Sequence, residues 1–311
     1  MSQIGYNLRK KTLRVLKRKS EMSEERLTDR QRIYNYRQTL NQYPRPSVTA
    51  DIVAVRPSYS ELTESQWREN PEFALQFLFI KRGEWPYEGA WAIPGGFIKP
   101  TESVEEGAAR ELREEARLAA NRLIPVGVYS EPMRDMRSWI ISNVFVSIHR
   151  CDEFFSVKGG SDAKIAKWLT LKSPKIKDGS FSLPFYDGDR KEFCLTGTYE
   201  DTDIGGATVL EIDENQLAFD HGKIIAQTFL RILSFDIRKL VFYFLPEKFT
   251  LSNYIDVYQY LTQNSISFAN IPSFRRQLTA TKNPILEVCE GEFEDLGGRG
   301  HAPAKLYRRK K

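Results

Sequence analysis

Three glutamates, Glu111, Glu114 and Glu115, stand at i, i+3 and i+4 within "GGFIKPTESVEEGAARELREEARL", residues 95–118. Residues three and four apart share one face of a helix. That spacing gathers three carboxylates and turns Ala108, Leu112 and Ala116 toward a buried side. Like charges so placed repel by roughly a few tenths of a kcal/mol per pair. A divalent cation removes that repulsion, and Mg²⁺ favours a few carboxylate oxygens completed by water and substrate phosphate. The other reading is a solvated surface helix whose charge is offset by Arg110, Arg113 and Arg117.

Several elements must position this helix. "SVTADIVAV" and "FALQFLFIKR" are β-branched and apolar and predict strands, separated by the polar, proline-punctuated "RPSYSELTESQWRENPE". "GEWPYEGAWAIPGGF" is dense in turn residues and aromatics and leads into the helix through Gly95 and Gly96. "RLIPVGVYS", "WIISNVFVSIHR" and "AKWLTL" predict further strands. A strand-rich sheet interrupted by one charged helix is an α/β arrangement without a regular βαβ repeat. Residues 23–41 predict a charged helix, and residues 172–216, rich in Gly, Ser, Asp and Lys, predict an insertion of loops or short hairpins. Where the glutamate helix would be expected to stop on Gly, position 117 holds Arg. "ARLAANRL" therefore predicts that the helix runs past 117 and ends near Asn121.

At 311 residues, 41% hydrophobic and 28% charged, the chain has the size of two domains and the balance of a soluble protein. No apolar run approaches the roughly 18–20 residues needed to span a bilayer, which excludes helical membrane proteins. Cys151, Cys194 and Cys289 lie far apart without a CxxC pair. They suit a reducing cytoplasm and argue against a disulfide framework or zinc knuckle. Three scattered histidines disfavour a His-based metal site. Residues 1–19 hold seven Lys and Arg and no acid, so the rest of the chain is net −2 within a total of +5. That run is either a solvated tail or a contact for nucleic acid or anionic lipid. "MSEERLTDRQ" also reads as a natural start at Met22.

The pattern Gly96, five residues, Glu102, seven residues, Arg110-Glu111-Leu112-x-Glu114-Glu115-x-x-Leu118 resembles the Nudix box. Every specified position matches except the last Gly, which here is Arg117. The resemblance implies an α/β/α sandwich whose helix holds a divalent metal, Mg²⁺ or Mn²⁺, on Glu111, Glu114 and Glu115, with Arg110 and Glu102 bracing loop and helix. It implies a hydrolase of nucleoside diphosphate compounds. The metal would neutralise the diphosphate and activate water, and a glutamate or a later carboxylate would act as base. "KRGEWPYEGAWAIPGGF" is similar to the corresponding stretch of family members acting on ADP-ribose and related sugar nucleotides. Trp85 and Tyr87 would then stack on base or ribose, or else pack the loop. "EPMRDMRSWIIS" resembles a family segment of the form Arg-Asp-Pro-Arg, with Arg134, Asp135 and Arg137 matching. Those arginines either clamp phosphate or are surface charges.

In the last third, "FTLSNYIDVYQYL" and "IPSFRRQLTAT" predict helices, and "ILEVCEGEFEDLGGRGHAPAKLYRRKK" a Gly-turned hairpin. That order suits a winged helix-turn-helix, and equally a protein-pairing module. From "LAFDH" onward the segment resembles the C-terminal part of Nudix-related transcriptional regulators. The two resemblances cover residues 45–311 apart from the insertion at 172–216, so the chain is expected to divide into a basic, charged helical extension (1–44), a Nudix domain with that loop-rich insertion (45–216) and a linker helix with winged helix (217–311). The resemblance to the regulators also implies an ADP-ribose-like ligand, double-stranded DNA and a homodimer as partners. From residue 265 onward nine basic residues face five acids. Arg275, Arg276, Lys282, Arg299 and Lys305 are the candidate DNA contacts, while Glu290, Glu292, Glu294 and Asp295 give the hairpin an acidic tip and Phe274 reads as core.

Overall fold

The computed structural model describes residues 28–58, 73–120, 122–150, 163–202, 206–264, 266–267, 270–280, 283–294 and 303–310. The chain forms two units, 1–46 and 47–311. In the first, helix α1 (Asp29–Thr39) starts at a capping box in which Thr28 and Gln31 each bond the other's backbone N–H, and it buries no residue. A polar sequence with sound caps forms a helix without a core to pack on.

The second unit is built on one mixed sheet. Its strands are β1 (Ser47–Pro57), β2 (Leu75–Arg82), β3 (Trp91–Ala92), β4 (Gly95–Phe97), β5 (Arg122–Tyr129), β6 (Ile140–Ile148), β7 (Ala163–Leu171), β8 (Lys175–Lys177), β9 (Ser180–Asp187), β10 (Arg190–Asp201) and β11 (Ala207–Ile212). The order across the sheet is β11-β10-β9-β7-β2-β1-β6-β5, with β3 on β2, β4 on β1 and β8 on β9. Among the described strands of this sheet, β1 and β6 pair in parallel and the other pairings are antiparallel.

Helix α2 (Val104–Ala116) covers one face and helix α3 (His221–Leu233) the other, an α/β/α layering. Side chains alternate across a strand, so β1 divides its residues between the two layers. Ala50, Ile52 and Ala54 pack with Ala108, Leu112 and Ala116 of α2, while Val53 and Val55 join Ile225, Phe229 and Ile232 of α3. Burial on both faces explains why β1 reads as a continuous apolar run rather than an alternating one.

Within residues 172–216, expected as loops or short hairpins, the described residues form a meander of strands that extends the sheet. Phe181, Leu183, Phe185, Phe193 and Leu195 turn to one face and are buried. Phe79 meets Phe185 and Phe193 edge-on, with centroids 5.2 Å apart in each case. Polar residues occupy the alternate positions and dilute the composition, which hid the period of two.

The end of α2 also differs from expectation. The helix stops at Ala116, and Arg117 itself takes the left-handed conformation (φ 54, ψ 28), its N–H donating to the Arg113 carbonyl at 3.0 Å. Leu118 then folds back, fully buried beside Leu112, and that burial holds the turn in place of a glycine. A residue with a Cβ is disfavoured there by about 1 kcal/mol. Arg117→Gly is expected to raise the unfolding free energy by about that amount in urea titrations; an unchanged or lowered midpoint would show the position to be unstrained.

After α3 come helix α4 (Ile237–Leu240), a 3₁₀ turn (Val241–Tyr243), β12 (Phe249–Thr250), helices α5 (Leu251–Thr262) and α6 (Ile271–Thr279), and the strands β13 (Leu286–Glu294) and β14 (Ala304–Arg309). A second small sheet runs β12-β14-β13. Thr250 caps α5 through a capping box with Asn253. Phe274 is buried against Tyr254 and Tyr258, as core. This module shares one apolar core with the main sheet, and the Tyr260 hydroxyl donates to the Leu171 carbonyl at 2.8 Å. Among the described residues no helix is long and apolar enough to cross a membrane.

Candidate functional site

A cavity of ≈ 530 Å³ lies where β4, the start of β6, α2 and the residues leading into α3 converge. Its floor is the pairing of β4 with β1, which sets Gly95 opposite Asp51 and Gly96 opposite Ala50. Backbone crowding requires the glycine at 95, while a side chain at 96 would displace the Glu111 carboxyl. A Cβ on Gly95 would come within 2.6 Å of the Ala50 carbonyl, and one on Gly96 within 2.5 Å of the Glu111 carboxyl.

Three of the sequence-selected acids surround Arg110. Its Nε and Nη2 donate to Glu102 at 3.0 and 2.6 Å, Nη1 donates to Glu111 at 2.6 Å and Glu114 at 3.0 Å, and Nη2 also donates to the Phe97 carbonyl at 3.0 Å. Glu115 is buried instead, its Oε2 accepting the Gly95 N–H at 2.9 Å. Arg110 thus ties the loop after β4 to α2. Hydrogen bonds from Arg110, then from the Lys99 N–H, hold the Glu102 carboxyl down at about 2, and the same pair pushes the Arg110 guanidinium above its ordinary value. Glu111 and Glu115 line the cavity together with Gly95, Gly96 and Arg110. Glu114 faces outward with its side chain 48% exposed. Among the described residues no three acidic side chains already converge on one point.

Arg134 and Arg137 also line the cavity, but each has a carboxylate partner. Arg134, only 5% exposed, forks onto Asp220 at 2.8 and 2.6 Å and lies 3.7 Å from Asp51. Arg137 forks onto Asp135 and stacks over Phe219 at 5.2 Å. Trp85 lines the cavity mouth and is 70% exposed, an open aromatic face. Tyr87 packs edge-on against Phe219 with centroids 4.9 Å apart.

Asp51, Phe219, Asp220 and His221 were not singled out from sequence. Asp51 breaks an apolar run in a strand buried on both faces, which was a usable signal; burial raises its carboxyl to about 6 against the opposing Ser142 hydroxyl and Arg134. Phe219 is the hub on which Arg82, Arg137, Tyr87 and His221 pack. The His221 Nδ1 accepts the Ile93 N–H at 3.1 Å, and burial lowers its pKa to about 3, so the ring is neutral.

In the C-terminal module Arg275 and Arg276 project from the exposed side of α6 while Phe274 and Leu278 face inward, and Lys305 is exposed on β14. Lys282, Arg299, Asp295 and the glycine turn lie outside the described residues. Glu292 pairs with Lys248 and Glu287 with Arg308, which removes part of the acidic character read from sequence.

Residues 67–187 match the NUDIX domain family model. The chain carries a Nudix domain. Its glutamate helix and the preceding Gly-Gly turn fall inside the matched residues. The chain is 41% identical over 102 residues to the ADP-ribose pyrophosphatase of Methanocaldococcus jannaschii, covering 32% of this chain and 59% of that relative. It is 22% identical over 269 residues to the ADPR responsive transcriptional repressor NtrR of Acinetobacter baylyi, covering 86% of this chain and 83% of the relative. A MutT/nudix family protein from Enterococcus faecalis shares the fold over 92% of this chain and 95% of its own, with TM-score 0.60 and 22% identity. Within the Nudix domain, the donors suit a hard divalent cation. Every acidic group near Arg110 offers oxygen, and Glu111 and Glu114 already meet a single positive nitrogen between them.

Proposed function

We propose that this protein binds an ADP-ribose-like nucleoside diphosphate in the Nudix cavity, hydrolyses it with Mg²⁺, and couples the occupancy of that cavity to DNA binding by the C-terminal module. The observation that carries this reading is the composition of the cavity wall. It joins Glu111, Glu115 and the Gly95-Gly96 turn to Phe219 and His221, which stand at the head of α3, the helix leading into the C-terminal module. Likeness to a pyrophosphatase over the Nudix domain and to an ADPR-responsive repressor over most of the chain supports both halves.

Glu111, Glu114 and Glu115 would hold the cation, which when bound offsets the diphosphate charge and lowers the pKa of a bound water. The chain's own groups do the rest. Trp85 offers a face for base or ribose, Gly95 and Gly96 let the diphosphate approach the backbone, and Arg110 keeps Glu111 and Glu114 aligned. A cavity glutamate takes the proton as the water oxygen bonds to phosphorus and the bridging P–O bond breaks, releasing AMP and ribose 5-phosphate. Incubation of the purified chain with ADP-ribose and Mg²⁺ is expected to release AMP, and no AMP from the unmutated chain would sink the hydrolytic half.

A second reading, nucleotide sensing without turnover, is favoured by one feature. Arg134 and Arg137 are already matched to Asp220 and Asp135, so a ligand phosphate would rearrange existing ion pairs at the head of α3. Tight ADP-ribose binding without AMP release, altering DNA retention, would select it.

The arrangement α5, α6, β13, β14 supports a winged helix, with α6 presenting Arg275 and Arg276 to DNA and homodimerisation matching a palindromic site. Arg275→Ala is expected to weaken binding to promoter DNA by about one salt-dependent phosphate contact without changing stability. Equal retention by a chain lacking residues 240–311 would remove the DNA-binding assignment.

A further inference from the structure

Strand β6 has the Nudix cavity at its beginning, where Ile140 lines it, and a second cleft at its end, where Ile148 and Arg150 do. Strand rise puts the two roughly 25 Å apart. The second cleft has a volume of ≈ 770 Å³ and opens between the edge of the main sheet and the C-terminal module. Its walls bring five cations (Arg122, Arg150, Arg308, Arg309 and Lys310) against Glu247 and Glu287, a net of +3. Among the described residues, Arg308 alone of the C-terminal cluster is neutralised, by Glu287. Arg122 donates to the Tyr243 hydroxyl at 3.1 Å, and the Arg309 guanidinium lies 5.5 Å over the Phe242 ring. Both partners are neutral, so two positive charges from opposite walls remain available to an anion. Between them lies an apolar surface of Phe242 and Pro246.

We propose that this cleft is a second ligand site, taking a nucleoside phosphate whose phosphates meet Arg122, Arg309 and Lys310 and whose base lies against Phe242 and Pro246. Three features select this chemistry. Uncompensated arginines favour phosphate oxygens, the apolar surface suits a base and not a bare inorganic anion, and the volume falls within that of small-ligand sites. A DNA duplex fits less well. Its bases are stacked and paired, so they have no use for a concave apolar wall, and Arg275 and Arg276 of α6 already offer it an exposed helix surface. Because one wall belongs to β5 and β6 and the other to β14, the bound nucleotide fastens the C-terminal module to the sheet. This assignment does not depend on what the Nudix cavity binds.

The test is calorimetric titration of the full chain with ATP, with adenosine, inorganic pyrophosphate and a short random-sequence duplex as parallel probes. A chelating buffer keeps divalent ions out, so that the carboxylates of the Nudix cavity repel phosphate. ATP is expected to bind more tightly than either adenosine or pyrophosphate, and Arg122→Ala/Arg309→Ala/Lys310→Ala to weaken it at least about tenfold with thermal stability unchanged. Glu115→Gln, at the other site, should leave the ATP affinity as it was. If the triple variant unfolds, the exposed single changes Arg122→Gln and Lys310→Ala should each weaken ATP about threefold. Absence of ATP binding, equal affinity in the variants, or loss confined to the duplex overturns the proposal.

Discussion

Glu115→Gln is expected to lower AMP release from ADP-ribose by roughly 100- to 1000-fold, the several kcal/mol that a metal-centred charge contributes to such a transition state. The same change should leave the fold almost untouched. Glu115 is buried and accepts the Gly95 N–H at 2.9 Å. A glutamine oxygen accepts that bond as well, so the turn opposite Asp51 stays in register while the negative charge is lost. Glu114 faces outward, so Glu114→Gln should also lose activity but with a still smaller effect on stability. The separating measurement is thermal stability. Under the hydrolytic reading it survives Glu115→Gln while turnover collapses. Turnover by Glu115→Gln equal to that of the parent would remove the glutamate helix from the chemistry.

How the sequence exposed this site, and where it stopped, follows from the range of the interactions. The glutamate helix was legible because its i, i+3, i+4 spacing and the preceding glycines are local. The strands β1, β2 and β6 were legible because burial on two faces leaves long apolar runs. The exit of α2 was misjudged because local preference disfavours Arg117 in a left-handed turn, whereas the contact that outweighs it, burial of Leu118, is tertiary. The meander of β8 to β11 was obscured by polar residues on its outer face. Arg134 was noticed for its type, but its partner Asp220 lies 86 residues away. No local pattern could have supplied that pairing or placed His221 beside Ile93. The acids of the hairpin looked adverse to DNA for the same reason, since their neutralising partners Lys248 and Arg308 are distant in sequence or across a strand pair.

Arg134 also carries the prediction with the largest effect on stability. Arg134→Ala deletes a 5%-exposed guanidinium that forks onto Asp220 and stands 3.7 Å from Asp51. Both carboxylates then lack their cation, which at about neutral pH should cost roughly 3 kcal/mol, the lower end for a broken buried pair, because Asp220 keeps some solvent. The pH dependence fixes the cause. Burial raises the folded-state pKa of Asp51 from 3.8 to about 6. Between those values the folded chain holds a proton that the unfolded chain has released, so this carboxyl's contribution to stability falls as pH rises through that window. Without Arg134 the carboxyl rises further, and the decline extends to higher pH. The deficit of Arg134→Ala relative to the parent should therefore be large at about pH 8 and much smaller at about pH 5, in urea titrations that remain two-state. Adding Asp220→Asn should recover part of the loss, because the second change removes one of the stranded charges. A deficit equal at both pH values, or no recovery in the double variant, would mean that Arg134 stabilises through packing of its side chain. The ion-pair account would then fail, and with it the idea that a ligand phosphate acts on α3 by competing for Arg134.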